Sequence, residues 1–469
     1  MLAKQALILL SSVLLISCYG NKKTKDKPVD FPDILKKGEI VAVTLNSSTS
    51  YFQYKMQAMG YEYDLIADFA KTHNLELKIK IAENVTRLAE MLQGGEADVI
   101  AYPIILNSNS KREVLFCGHE KQSSLVIVQR AEQGDTILKD VTQLIGKDIY
   151  VKPQTHYHDR LESLNKELGG GINIIDIEKD TVTTEDLIEM VSRGKISYTV
   201  CQDDMARLNR TYFRNINIDL PISFKQRSSW VVRKSSPRLA AAINEWASNN
   251  NGRNTYRAIS KRYFEYSKTY HSEVNNTPQI INGQISPFDS LFKAYAHKLE
   301  WDWQLLASIA YQESHFQPTI IAWSGAEGLM GIMPATARGL GFQPEEMQTP
   351  EKNLQAAIEC LRQFKRSFKD ADTLEQIKLT LASYNAGVGH IHDARRLSAK
   401  YGKNPNIWHE NVAEFIRLKS DPQYYTDSIC KHGYLRGNET FNYVTEVLQR
   451  YRYYKETTSK KSENNTSGK

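Results

Sequence analysis

The chain has 469 residues, too many for one ordinary hydrophobic core, so two or three domains are expected. With 41% hydrophobic and 24% charged residues it has the composition of a globular protein. The net charge of +6 is spread over a long chain; it gives no reason to propose nucleic acid as a partner and would not hinder approach to an anionic polymer.

The first residues read as a targeting segment. Lys4 gives a positive start, and Ala6 to Ile16 is an apolar run too short for an ordinary membrane span. The run ends in Leu15-Ile16-Ser17-Cys18, which resembles a bacterial lipobox. That resemblance implies a lipoprotein signal over residues 1–18, cut so that a lipidated Cys18 becomes the mature N-terminus. Residue 19 is Tyr and not Asp, so the inner-membrane retention signal is absent, and the implied location is the outer membrane, facing the periplasm. Tyr19 to Asp30 is polar and lysine-rich and reads as a solvated tether. No later stretch is long and apolar enough to span a bilayer. Cys117, Cys201, Cys360 and Cys430 match no metal-site spacing, and either buried thiols or two bridges would suit them. No metal or organic cofactor is suggested.

From Phe31 to Lys268 strand and helix signals alternate. Strands are expected at Glu39–Leu45, Leu75–Ile81, Asp98–Ile100, Leu125–Gln129, Asp148–Lys152, Ile172–Ile177, Ile196–Cys201 and Ser229–Arg233. Helical patterns fall at Tyr61–His73, Leu88–Gln93, Thr184–Arg193 and Pro237–Asn249. This order argues for an α/β domain with mainly parallel sheets. Residues 269–285 are polar, with Asn-Asn-Thr-Pro and Asn-Gly, and read as a linker. From Ser286 to Lys455 the strand signal vanishes and helical patterns dominate, so this half is all-α. Residues 456–469 are Ser, Asn, Lys and Thr and are expected to be disordered.

Within a helix over Trp303–Glu313, Leu306, Ile309 and Ala310 lie seven, four and three residues before Glu313, which puts Glu313 on the apolar face. A carboxyl there is costly when ionised and its pKa should rise, the condition a general acid needs. The plainer alternative is a buried Glu paired to a basic side chain. Four motifs bear on the choice: Glu313-Ser314-His315-Phe316; Gly325-Ala326-Glu327-Gly328-Leu329-Met330-Gly331-Ile332-Met333-Pro334; Ser383-Tyr384-Asn385-Ala386-Gly387; and Glu439-Thr440-Phe441-Asn442-Tyr443-Val444. In this order they resemble the soluble-lytic-transglycosylase domain, a lysozyme-like fold. The resemblance implies that Glu313 is the catalytic acid and base. It would protonate the bond between N-acetylmuramic acid and N-acetylglucosamine and then activate the sugar's own 6-hydroxyl, leaving a 1,6-anhydro end. It also implies that Tyr443 reaches the catalytic centre, and that Ser314, Met330, Tyr384 and Asn385 border the substrate. Two positions depart from the pattern: Gly331 stands where the family usually has Gln, and Ala322 where it often has Ser, with Ser324 close enough to substitute.

In the front half, Gly60-Tyr61-Glu62-Tyr63-Asp64-Leu65, Leu92 to Val99 and Ser110 to Phe116 resemble the bacterial extracellular solute-binding fold, in its amino-acid-binding branch. That resemblance implies two lobes closing on a small ligand, with Arg112 gripping a carboxylate and Asp203 or Asp204 an amine. The whole arrangement resembles the modular membrane-bound lytic transglycosylases, whose front domain is regarded as a sensor of cell-wall peptides. The implied partners are peptidoglycan glycan strands, a muropeptide or amino-acid ligand in the front domain, and the outer membrane through the lipid anchor. Two other readings compete: a binding protein that grips glycan without cutting it, and a lysozyme-type hydrolase, which would leave reducing sugar ends.

Overall fold

The protein was analysed as a computed structural model describing residues 29–106, 110–153, 155–178, 182–266, 280 and 284–466. Cys18, nearly all of the expected tether and most of the linker lie outside the described residues.

The front half contains two five-stranded sheets and one hairpin. The strands are β1 (Glu39–Leu45), β2 (Phe52–Tyr54), β3 (Gln57–Met59), β4 (Glu76–Ala82), β5 (Val99–Ile105), β6 (Val114–Ser123), β7 (Leu125–Arg130), β8 (Asp148–Val151), β9 (Asn173–Asp176), β10 (Tyr198–Gln202), β11 (Ile216–Pro221) and β12 (Gln226–Arg233). The first sheet runs β4-β1-β5-β12-β6 and the second β11-β7-β10-β8-β9. The chain crosses between sheets twice, at Ser124 after β6 and at Ile222–Lys225 before β12. These crossings are bonded together: Ile222 N–H donates to the Leu125 carbonyl at 2.8 Å, and Leu125 N–H to Ser223 Oγ at 2.8 Å. Two lobes joined by two adjacent crossings make a hinge.

The expected strands form, but their directions differ from expectation. In each sheet two pairings are parallel and two antiparallel. The antiparallel ones come from β6, β7, β11 and β12, the strands next to the crossings. A chain that leaves one sheet and returns must lay its returning strand against the outgoing direction. The alternating Leu77, Ile79 and Ile81 sit on β4, an edge strand, so Ile81 remains exposed on the outside of the lobe.

The back half is helical. We label the helices used below α1 (Tyr61–Thr72), α2 (Thr184–Ser192), α3 (Asn250–Phe264), α4 (Trp303–Ser314), α5 (Pro350–Arg366), α6 (Thr373–Ala386) and α7 (Gly437–Thr466). α4 packs between its neighbours with Leu305 to Ala310 all buried, and α6 is buried continuously from Lys378 to Ala386. Both pack on α7. A helix apolar on all sides belongs at the centre of a bundle, and α6 takes that place. The expected disordered tail is corrected: α7 runs on to Thr466. Its Thr457 and Thr458 hydroxyls donate back to the Tyr453 and Tyr454 carbonyls, and Gln304 donates to Thr458 at 3.1 Å, which ties this part of α7 to α4. Cys117, Cys201, Cys360 and Cys430 are free thiols.

One side chain holds the loop beneath the end of α4. Asn353 on α5 is fully buried. It accepts from Met330 N–H at 2.7 Å and donates to the Glu327 and Met347 carbonyls, each at 2.8 Å. Gly328, at φ +78°, fits because a Cβ there would lie 2.1 Å from the Met347 carbonyl oxygen. Asn353→Ala would orphan the Met330 N–H and the Met347 carbonyl, each unsatisfied buried group costing about 1–3 kcal/mol, while the Glu327 carbonyl keeps its bond from Ile332 N–H. The expected loss is roughly 3 kcal/mol from the helical half, read as a lower urea midpoint by tryptophan fluorescence. An unchanged midpoint would show that the loop does not depend on this residue.

Candidate active site

Glu313 is the penultimate residue of α4, and Leu306, Ile309 and Ala310 beneath it are fully buried, as the spacing predicts. The helix stops sharply because His315 (φ 49°) and Phe316 (φ 63°) both adopt left-handed conformations. Ser314 fixes this end: its hydroxyl lies 3.0 Å from the Ala310 carbonyl oxygen and 2.7 Å from that of Leu329. Glu313 is thereby pinned against the loop carrying Met330 and Gly331.

Both carboxylate oxygens are engaged. Tyr443 of α7 donates its hydroxyl to Glu313 Oε1 at 2.9 Å. Burial, and then the neighbouring Glu313 carboxylate, push the Tyr443 hydroxyl far above the ordinary tyrosine range, so it stays a proton donor. The other oxygen, Oε2, accepts from Lys55 Nζ at 2.8 Å, and the two side chains are only 8% and 10% exposed. Lys55 also donates to the Gly331 carbonyl at 3.2 Å and stands 5.4 Å from the centre of the Tyr384 ring. Tyr384 in turn donates to the Met330 carbonyl at 2.8 Å.

Lys55 comes from the front half. It occupies, with Met56, the two-residue turn of the β2–β3 hairpin, where Tyr54 pairs with Gln57. Both turn residues have positive φ, 47° and 63°. That is the backbone of a tight hairpin turn, a place usually taken by Asn or Gly. Lys and Met there cost of order 1–3 kcal/mol each in backbone strain. The hairpin is held against the helical half by Tyr54 beside Trp323 (centroids 5.8 Å apart) and by the contact of His390 Nε2 with the Gln53 carbonyl at 3.3 Å. Gly387, which ends α6 at φ +98°, lets the turn approach: a Cβ there would lie 3.1 Å from Met56 N.

Gly331, the departure from the family pattern, sits at φ +63° directly beneath the carboxylate. A Cβ at this position would lie 2.4 Å from Glu313 Oε2. The missing side chain therefore makes the room in which Glu313 and Lys55 meet.

A cleft of about 840 Å³ opens from Glu313 and Tyr443, and Ala322, Ser324 and Asn385 also line it. Asn385 Oδ1 accepts from the Thr440 hydroxyl at 2.7 Å, which aligns α6 with α7. The Met330 side chain is fully enclosed in the core beneath the cleft, and its backbone binds Asn353 and Tyr384. Ser314 is likewise enclosed, consistent with its role in pinning the helix end.

The remaining expected residues lie elsewhere, in the front half. Arg112 is exposed on the short helix Ser110–Glu113. Asp203 and Asp204 form the first turn of the helix Asp203–Arg210, just past β10. Asp203 pairs with Arg207 at 3.5 Å, and burial raises its carboxyl above the usual range. Lys55 is the residue that the sequence reading missed; a single lysine in a run without turn residues gives no signal.

Residues 290–407 match the family model of the transglycosylase SLT domain, and residues 20–266 that of bacterial extracellular solute-binding proteins, family 3. Fold and site together define the class: a peptidoglycan lytic transglycosylase with a solute-binding-protein-like front half. Among its relatives, a membrane-bound lytic murein transglycosylase F of Desulfosudis oleivorans is 32% identical over 420 residues, covering 89% of this chain and 90% of the relative. Proteins of the same name from Pseudomonas fluorescens (strain Pf0-1) and Aeromonas salmonicida are each 29% identical, covering 91% and 89% of this chain and 86% and 82% of theirs. The chain belongs to the membrane-bound lytic murein transglycosylase F family.

Gly331→Ala tests the geometry. The added methyl would strain the backbone and displace the Glu313 carboxylate, and a misplacement of about 1 Å can cost about 10²-fold in rate. Turnover of peptidoglycan by the folded variant is expected to fall by that order. A wild-type rate from Gly331→Ala would mean that the carboxylate does not need this space.

Proposed function

We propose that this chain cleaves the β-1,4 bond between N-acetylmuramic acid and N-acetylglucosamine and leaves 1,6-anhydro ends, with Glu313 as the sole acid and base. The observation that carries this reading is the Glu313–Tyr443 pair at the end of an open cleft. In the reaction the Glu313 proton goes to the glycosidic oxygen, which leaves with the neighbouring sugar. The carboxylate then takes the proton of the muramic acid 6-hydroxyl as that oxygen bonds to the anomeric carbon. No water is consumed, and Glu313 ends protonated as it began. One carboxyl serves both steps because the nucleophile is tethered within the substrate. Tyr443, held as a donor, positions Oε1, while Oε2 faces the reacting bond. Ser324 and Asn385 border the bound sugars, and Ser314, Met330 and Tyr384 support the site from beneath.

The hairpin supports a regulatory role for the front half. With Lys55 seated, Oε2 is taken and the reacting position is filled, so the seated arrangement is a resting one. A muropeptide or amino acid bound between the two lobes, through Arg112 and Asp203 or Asp204, would favour the arrangement in which the hairpin is withdrawn, provided it binds that arrangement more tightly. The relatives are named membrane-bound. No helix among the described residues is long and apolar enough to cross a membrane, and we assign attachment to a lipid on Cys18, at the outer membrane.

Two measurements test these readings. Mass spectrometry of peptidoglycan digests should show anhydro-muropeptides with the native chain and none with Glu313→Gln; reducing ends instead would make the enzyme a hydrolase. Removing a charged hydrogen bond of about 1.5–3 kcal/mol with Lys55→Ala should raise the basal rate by roughly tenfold or more, with unchanged products. A basal rate that stays the same or drops would remove the hairpin from regulation.

A further inference from the structure

The lip of the cleft beside Glu313 is the loop Ile320 to Ala326, and its Ala322 and Ser324 border the same space as the Glu313 carboxylate. Residues 322–325 make a tight turn: Gly325 N–H donates to the Ala322 carbonyl at 2.9 Å, and Ala322 N–H donates to the Ala326 carbonyl at 2.8 Å. In such a turn the carbonyls of the two central residues, here Trp323 and Ser324, point away from the hydrogen bond that closes it. Backbone carbonyls in a partly buried loop need donors from another element. Here one side chain reaches both.

That side chain belongs to the front half. Arg262 on α3 donates from Nε to the Trp323 carbonyl at 2.8 Å and from Nη2 to the Ser324 carbonyl at 2.9 Å. Its third nitrogen, Nη1, donates to Asp64 on α1 at 2.9 Å. Asp64 also accepts from the Tyr263 hydroxyl at 2.9 Å, so two elements of the front half aim the guanidinium before it meets the turn. Burial raises the Asp64 carboxyl above the usual range, and the Arg262 charge opposes that rise. A planar fork can serve three partners at once, which an ammonium on a flexible stem does less well. The Trp323 ring adds an apolar contact. It packs on the core of the front half, edge-on to Tyr263 with ring centroids 6.3 Å apart. The turn at the lip is thus held at its backbone and at its largest side chain by residues from the other half of the chain.

We infer that Arg262 is a positioning residue for glycan binding: by gripping the Trp323 and Ser324 carbonyls it sets where Ala322 and Ser324 meet the sugars. All three guanidinium nitrogens have protein partners, so Arg262 acts on a substrate through the turn. The inference rests on the lytic-transglycosylase reading. It separates two contacts that the front half makes at the cleft. The β2–β3 hairpin fills the reacting position, whereas Arg262 grips backbone beside it. Withdrawal of the hairpin parts Tyr54 from Trp323 and leaves Arg262 on the turn, so the front half keeps a share in the working site after the hairpin has left it.

The test measures cleavage of soluble glycan oligomers by the full chain. Arg262→Ala is expected to raise KM about tenfold, the scale of one charge-assisted hydrogen bond, with kcat little changed, because the lip borders sugars and not the reacting bond. Dilute guanidinium chloride is expected to restore KM in this variant, and sodium chloride is not. Arg262→Lys keeps the charge beside Asp64 without the planar fork. Its KM is expected to fall between the two, and it decides the matter if Arg262→Ala does not fold. An unchanged KM overturns the inference. So does a higher kcat at unchanged KM, which would make Arg262 part of the resting latch, and so do equal falls in kcat and kcat/KM, which would put the damage at Glu313. All three leave the catalytic reading intact. A native chain that leaves the oligomers uncut overturns the glycan-cleaving reading and the inference together. Fluorine NMR of fluorotryptophan-labelled protein supplies a second measurement, on six tryptophans. The Trp323 resonance, assigned by its loss in Trp323→Phe, is expected to shift in Arg262→Ala while the others hold. No shift at Trp323, or shifts at all six, count against the inference.

Discussion

The structure turns on a buried ion pair between two halves of the chain that are 258 residues apart, Lys55 and Glu313. Two charges removed from water must find each other and have their remaining hydrogen-bonding positions filled, or the arrangement fails. Each requirement is met by a named group. Tyr443 takes the second carboxylate oxygen, the Gly331 carbonyl takes a second ammonium proton, and the Tyr384 ring lies beside the cation. Removing any one partner leaves the others with unmatched polarity at the end of the cleft. The left-handed turn that presents Lys55 is unfavourable in isolation, whereas the left-handed conformation that receives it is one glycine adopts freely.

Much of this was legible in the sequence. Alternation and amphipathic spacing located β1, α1, β7, β8 and α4 to within a residue or two, because burial on one face imposes the pattern directly. Strand direction was not legible, since a period of two is the same in a parallel and an antiparallel pair. The helical tail was misread because Ser, Thr and Asn favour turns in isolation, whereas here they continue a helix already packed against α4. Glu313 and Tyr443 could be found because they belong to motifs with fixed spacing. The β2–β3 hairpin could not: its strands are three residues long and its turn, Lys55-Met56, lacks the glycine or asparagine that marks such turns. Its conformation is set by what it touches across the domain boundary, and no local pattern records that.

Gly331 shows how a departure from a motif can be misjudged from sequence. Read as a missing side chain, it suggests a lost substrate contact. In the structure the absence is a provision of space, since a Cβ would fall within 2.4 Å of the Glu313 carboxylate. The same residue supplies its carbonyl to Lys55. A position that sequence comparison marks as weakened is therefore one at which the front and back halves meet.

The position of the hairpin near the start of the chain has a consequence for how the enzyme comes into being. The front half closes its first sheet only when β12 has followed β6, and its last helix, α3, ends at Phe264. All of this precedes Trp303, where the helix bearing Glu313 begins. Domains generally fold as units, the N-terminal one first during synthesis. The β2–β3 hairpin is thus complete before α4 exists, and a newly made molecule passes through no interval in which a finished α4 lacks the hairpin that meets it.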